Sequence, residues 1–160
     1  MAALRFVLAM LMIFACGFVA SAEEKAKSEP AKVEKPDAER IVGTWFVEKS
    51  EPKSELLQNE NQKMRLKFDA GKFEFAVLQD DNAVINIPGN YALDDKQTPK
   101  LLDITLTADG AQPVFAIYEF EGDKLRICHR TGGAGQRPAD FTMPAADCTI
   151  VTLVREAEAK

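Results

Sequence analysis

Cys128 and Cys148 are the two cysteines beyond the N-terminal apolar segment, and three chemistries suit such a pair. One is a reactive thiol, because Lys124, Arg126 and Arg130 are cations of the kind that lower a cysteine pKa. Another is a metal site, but two cysteines and a single histidine lack any standard zinc spacing. The third is a disulfide, favoured if the chain enters an oxidising compartment. Cys148 opens an apolar run. If that run pairs antiparallel with residues 124–130 so that the two cysteines are opposite, Arg126 faces Ile150 and Lys124 faces Thr152, and a Cys128–Cys148 bridge is within reach. Closing the intervening loop, residues 129–147, is worth about 3 kcal/mol in the chain-entropy view. Of the three, the disulfide is expected.

His129 is the only histidine. Histidine is the usual general base near neutral pH, but a catalytic role needs a nucleophile on a rigid element. Beyond the N-terminal segment the serines are Ser28, Ser50 and Ser54, and no Gly-x-Ser-x-Gly elbow occurs. His129 therefore reads as a surface or barrel-mouth residue. The stretch "TGGAGQRP", residues 131–138, resembles a phosphate cradle only superficially. It lacks the Gly-Lys-Ser/Thr ending and no helical pattern follows it. It reads instead as a rim loop held by Arg137 and Phe141. Asp80-Asp81 and Asp94-Asp95 lack the spaced oxygens of a calcium loop and read as turn residues. Glu119 and Glu121 share a strand face, but nothing sets them across a substrate. No catalytic residue, metal or cofactor is expected.

The compartment follows from the N-terminus. Arg5 precedes the apolar run "FVLAMLMIFACGFVA", and Ala20-Ser21-Ala22 supplies a small-x-small cleavage site before Glu23. This is the grammar of a secretory signal peptide, residues 1–22. A lipoprotein anchored through Cys16 is the weaker alternative, because Phe14 fits that cleavage box poorly and apolar residues continue past the cysteine. Removing residues 1–22 takes away one base and no acid, leaving 19 basic against 25 acidic residues and a net charge of −6. That balance disfavours nucleic acid and anionic membrane as partners. No other apolar run is long enough to span a bilayer. Residues 23–40, "EEKAKSEPAKVEKPDAER", are charged and contain Pro30 and Pro36. They have too little apolar surface to offset their ordering entropy and read as a disordered tether. Residues 41–156 have the size of one domain, and residues 157–160 form a tail.

Within 41–156 the apolar period is close to two. Met64, Leu66 and Phe68 alternate with Arg65 and Lys67, and Phe73, Phe75 and Val77 alternate with Glu74 and Ala76. Asp69-Ala70-Gly71 between them is a hairpin turn. Strands are predicted near 41–49, 63–69, 72–79, 83–93 (bent at Pro88-Gly89), 100–107, 113–120, 124–130 and 148–155. Residues 50–62 are left for a short helix. About eight strands joined by short turns imply an all-β, antiparallel barrel or sandwich, and closure into a barrel leaves no exposed edge.

Gly43-Thr44-Trp45 opens the first strand and Arg155 closes the last. This is similar to the lipocalin-type signature, a Gly-x-Trp whose indole is covered by a basic side chain of the final strand, a favourable cation–π arrangement. Further along occur Tyr91-Ala92-Leu93-Asp94, Pro99-Lys100-Leu101-Leu102-Asp103, Ile117-Tyr118-Glu119, Gly122-Asp123-Lys124-Leu125, Ile127-Cys128, Arg137-Pro138-Ala139-Asp140-Phe141 and Leu153-Val154-Arg155. In that order they resemble the uncharacterised lipocalin-like domain family abundant in secreted planctomycete-type proteins. The resemblance implies a lipocalin-like barrel over residues 41–156 and no established activity.

Such a barrel can hold a small apolar ligand inside. Met64, Leu66, Phe68, Phe73, Phe75 and Val77 are expected to form one interior wall, and Phe115, Ile117, Leu125 and Ile127 a facing one. The competing expectation is a barrel filled by its own side chains, which would act through its surface on an envelope or secreted protein. The exported protein is expected to begin at Glu23 on N-terminal sequencing. A lipid-modified Cys16 at its N-terminus would contradict release.

Overall fold

The period-two patterning produces eight strands: β1 (Gly43–Glu51), β2 (Gln62–Asp69), β3 (Lys72–Gln79), β4 (Asn82–Asp94), β5 (Lys100–Leu106), β6 (Val114–Glu121), β7 (Lys124–Arg130) and β8 (Cys148–Arg155). The computed structural model describes residues 35–56, 59–130, 135–142 and 147–156. The expected signal segment, the tether as far as residue 34 and the tail 157–160 lie outside the described residues. Each strand pairs antiparallel with the next, and β8 returns to β1 to close the barrel. The β2–β3 hairpin sets Phe68 opposite Phe73, Leu66 opposite Phe75 and Met64 opposite Val77. Opposed residues share a sheet face, so these six point to one side. The tight turn between these strands is made by Ala70 and Gly71, both at positive φ.

Two features shape the wall. β4 pairs with β3 from Asn82 to Asn90, then with β5 from Gly89 to Asp94. The change of partner falls at Pro88-Gly89. A Cβ on Gly89 would lie 2.6 Å from the Thr105 carbonyl oxygen, so only glycine lets β5 approach here. Among the described residues no strand covers the other edge of residues 82–87, where Val84 is 57% and Ile85 39% exposed. The second feature is a bulge in β1 between Val47 and Lys49, opposite Leu153 and Thr152. It shifts the inward phase, so that Ser50 lines the interior after Trp45 and Val47.

One barrel end is plugged. A four-residue helix, α1 (Asp37–Arg40), lies in the stretch expected to be tether, and its Asp37 is buried. Lys100 Nζ donates to Asp37 Oδ2 at 2.6 Å and the Tyr118 hydroxyl donates to the same oxygen at 3.0 Å. Burial and the adjoining Asp37 carboxylate raise the Tyr118 pKa far above its ordinary value, so it remains a donor. Arg40 donates to the Gly122 carbonyl and sits 4.0 Å from the Phe120 ring centroid. Trp45 is 1% exposed, and its Nε1 donates to the Ile41 carbonyl at 2.7 Å.

Arg155 completes the plug. Its Cζ lies 4.3 Å from the Trp45 ring, and it donates to the Val42 carbonyl at 2.8 Å and to the Arg40 carbonyl. The Gly-x-Trp start now has a physical reason. Gly43 has φ +134°, and a Cβ there would lie 2.6 Å from Arg155 Nη1. Glycine leaves the space that the guanidinium occupies while adopting a backbone that other residues rarely take.

Three sequence expectations need correction. Residues 50–62 hold no helix among those described: β1 runs on to Glu51 and turns follow. Phe115 and Ile117 face outward. The β6–β7 register sets Ile117 opposite Cys128 and Tyr118 opposite Ile127, so Ala116, Tyr118 and Phe120 point inward. Cys128 and Cys148 form no disulfide and are not opposite one another. Cys128 faces Ile150 and Cys148 faces Arg130. The register follows from interior pairs instead: Leu125 against Leu153 and Ile127 against Val151. The expected pairing would have put Thr149 against Ile127.

Arg155→Ala is expected to lower unfolding stability by roughly 1–2 kcal/mol through lost stacking and two lost charge-assisted hydrogen bonds. Arg155→Lys should recover only part of it, because an ammonium cannot lie flat on the indole and reach both carbonyls. Denaturant unfolding measures both. An unchanged midpoint for Arg155→Ala would show the plug does not depend on this residue.

Candidate functional site

The core is divided along the barrel axis. At the plugged end Trp45, Phe68, Tyr118, Leu102, Leu125 and Leu153 are fully buried and belong to one packed cluster. Phe68 packs edge-on to Tyr91 at 5.1 Å and beside Phe73 at 5.2 Å between centroids. Toward the other end this packing stops. A cavity of about 620 Å³ opens there, walled by Val47, Met64, Leu66, Phe73, Phe75, Ile104, Leu106, Val114, Ala116, Ile127 and Val151. Ser50, Pro52, Lys53, Ser54, Glu55 and Leu56 of the β1–β2 connection also line it, as do His129 and Thr149.

The strand directions explain this layout. The inward residues of β5 to β8 near the mouth are moderate in size: Ile104, Leu106, Val114, Ala116, Ile127, Thr149 and Val151. Those near the plug include two large aromatic rings of β6, Tyr118 and Phe120, and each meets another ring: Trp45 lies 6.2 Å and Tyr118 6.0 Å from Phe120. Volume lost along one strand pair becomes space at the mouth.

The polar groups of the mouth have defined partners. Ser50 Oγ donates to the Pro52 carbonyl at 2.7 Å. Ser54 Oγ accepts from the Leu56 amide at 3.2 Å and lies 3.8 Å from Met64 Sδ. His129 stands between Ala116 on β6 and Thr149 on β8. Its Nδ1 is 3.0 Å from the Arg130 carbonyl oxygen. Neither serine hydroxyl engages the imidazole. Among the described residues no group of three or more His, Cys, Asp or Glu side chains could hold a metal ion.

Of the ten residues expected in the barrel interior, Met64, Leu66, Phe73, Phe75 and Ile127 lie around the cavity. Phe68 and Leu125 belong to the plugged half, and Val77 is buried but does not reach the cavity. Phe115 and Ile117 lie on the outer face. Sequence reasoning missed Ile104, Leu106, Val114, Ala116 and Val151 as wall residues. The alternation of Leu102, Ile104 and Leu106 was a usable signal for β5. The bulge that brings in Ser50 had a weaker one, the broken alternation of Val47-Glu48-Lys49-Ser50.

The lipocalin-like domain matches residues 41–127. The chain belongs to the lipocalin-like family. That match takes in the Gly43–Trp45 signature and the first six strands. The lipocalin-like closure by β8, with Arg155 over Trp45, lies beyond it and is seen in the structure. Comparison with curated proteins and with solved structures finds no match.

The outer face of this lipocalin-like barrel carries the cysteines. Cys128 and Cys148 are fully buried with Ile117, beneath Leu101, Ile150 and Phe141. Burial, then the neighbouring Cys148 thiol, pushes the Cys128 pKa up to about 12, outweighing the opposing effect of Arg126. Cys128 is therefore a protonated thiol at neutral pH, not an activated nucleophile. The segment that covers the pair is tied down by Arg137. That side chain donates to the Ala116 carbonyl and to Asp103 Oδ1, both at 2.5 Å, and its guanidinium lies 5.4 Å from the Phe115 ring. Phe141 receives Arg126 at 5.1 Å. Residues 131–134 of the Gly-rich stretch lie outside the described residues.

Proposed function

We propose that the domain binds one small, largely apolar molecule inside the open half of the barrel, as a carrier or sensor rather than an enzyme. The observation that carries this is the cavity itself. Its volume of about 620 Å³ falls within the roughly 300–1,000 Å³ of small-ligand sites. Its walls are aromatic and aliphatic, its polar groups gather at one end, and the plug closes the other. Apolar walls reward a ligand for the surface it removes from water. In the same reading the chain acts after export, on the strength of its Ala20-Ser21-Ala22 boundary and preceding apolar run. The binding reading is supported by the state of the serines near His129: Ser50 Oγ donates to the Pro52 carbonyl and Ser54 Oγ lies against Met64 Sδ.

The competing reading, a barrel acting through its surface on another protein, has one observation in its favour. Val84 and Ile85 are exposed on a strand edge that, among the described residues, is paired on one side only. Exposed, uncharged edges of this kind invite strand addition. A packed interior would have favoured it further, and the cavity is evidence against that.

An environment-sensitive apolar dye is expected to bind the purified domain saturably with one site. Phe75→Trp, which adds bulk to the cavity wall, should weaken it roughly tenfold or more with little change in thermal stability. Absence of saturable dye binding by the wild-type protein would leave the surface reading in its place.

A further inference from the structure

The cavity wall carries the one histidine of the chain, His129. His129 Nδ1 lies 3.0 Å from the Arg130 carbonyl oxygen. A carbonyl can only accept, so Nδ1 carries the proton, and in that tautomer Nε2 presents a lone pair. Nε2 has no hydrogen-bond partner among the described residues, and the ring lines the cavity. The two rim charges have opposite sign, Lys53 and Glu55, so the mouth does not select an anion or a cation by net charge. Beside the imidazole stands the small side chain of Ala116, directly opposite on β6, which leaves room next to the ring.

From this we infer that the ligand is an uncharged amphiphile with a hydroxyl-type donor at one end, and that the hydroxyl donates to His129 Nε2 while the apolar remainder fills the cavity against Leu66 and Phe75. The inference rests on the ligand-binding reading above and narrows it. His129 becomes the specificity-determining residue. A ligand without a donor would bury the imidazole lone pair unpaired, which is more costly than never making the bond.

Decan-1-ol and 1-methoxynonane are isomers of equal size, and only the alcohol donates a hydrogen bond. Each is used to displace the bound dye. Because the two differ in hydration, the quantity read is the change in their affinity ratio between wild type and variant. His129→Leu is expected to shift the ratio roughly tenfold toward the ether. His129→Gln, which keeps a side-chain acceptor, should restore part of the preference and shows that the loss is not one of folding. Decanoate is the third probe and is expected to bind more weakly than the alcohol. A ratio unmoved by His129→Leu would overturn the assignment while leaving the cavity as a ligand site. Tighter binding of decanoate than of decan-1-ol, lost in His129→Leu, would overturn it in favour of an anionic head. Failure of every probe, with no dye bound to displace, would instead remove the ligand-binding reading on which the inference rests.

Discussion

The Arg155 guanidinium over the Trp45 indole ties the last strand to the first at the end where the barrel must be sealed. The β1–β8 backbone ladder removes the sheet edges, and Arg155 seals the end of that seam. The contact draws in the backbone as well: Arg155 donates to the carbonyls of Arg40 and Val42, which fixes the chain just before β1. That in turn sets α1 over the barrel end, where Asp37 meets Lys100 and Tyr118 from β5 and β6. A buried carboxylate is costly to desolvate and is tolerated only because two donors meet it. The plug is thus a set of mutually dependent contacts from α1, β1, β5, β6 and β8.

Sealing one end so heavily has a consequence at the other. Most of the large side chains of the interior are committed to the plug, and the strands that leave it carry smaller residues toward the mouth. Close packing is the rule for protein interiors. A void of about 620 Å³ is therefore a departure that the rest of the core must support. The outer cluster of Ile117, Cys128 and Cys148 contributes to that support by clamping β6, β7 and β8 from outside. The thiols act there as small apolar side chains, and burial keeps Cys128 protonated.

Strand positions were legible because alternation is a local property. The Gly43, Trp45 and Arg155 triad was legible because an indole near one chain end and a guanidinium near the other form a chemically specific pair. What was not legible depended on both faces of a strand being apolar. β6 reads Val114-Phe115-Ala116-Ile117-Tyr118, and no pattern within it tells which set points inward; the answer came from Cys128 lying opposite Ile117. The cysteine register failed for a related reason, since the interior pairs of β7 and β8 outweigh any preference of the cysteines to be opposed. α1 could not be read from its charged sequence at all. Its order comes from Tyr118 and Lys100, distant in the chain, and not from its own helix propensity, which is marginal for four residues.

The barrel is solid at one end and hollow at the other, and its proposed function depends on that division. Methyl-resolved NMR during a titration with decan-1-ol tests this most directly. Saturable shifts are expected at the methyl groups of Ile104, Ile127 and Val151, with far smaller changes at Leu102, Leu125 and Leu153. Equal shifts at both sets, or shifts confined to Val84 and Ile85 on the outer edge, would contradict it.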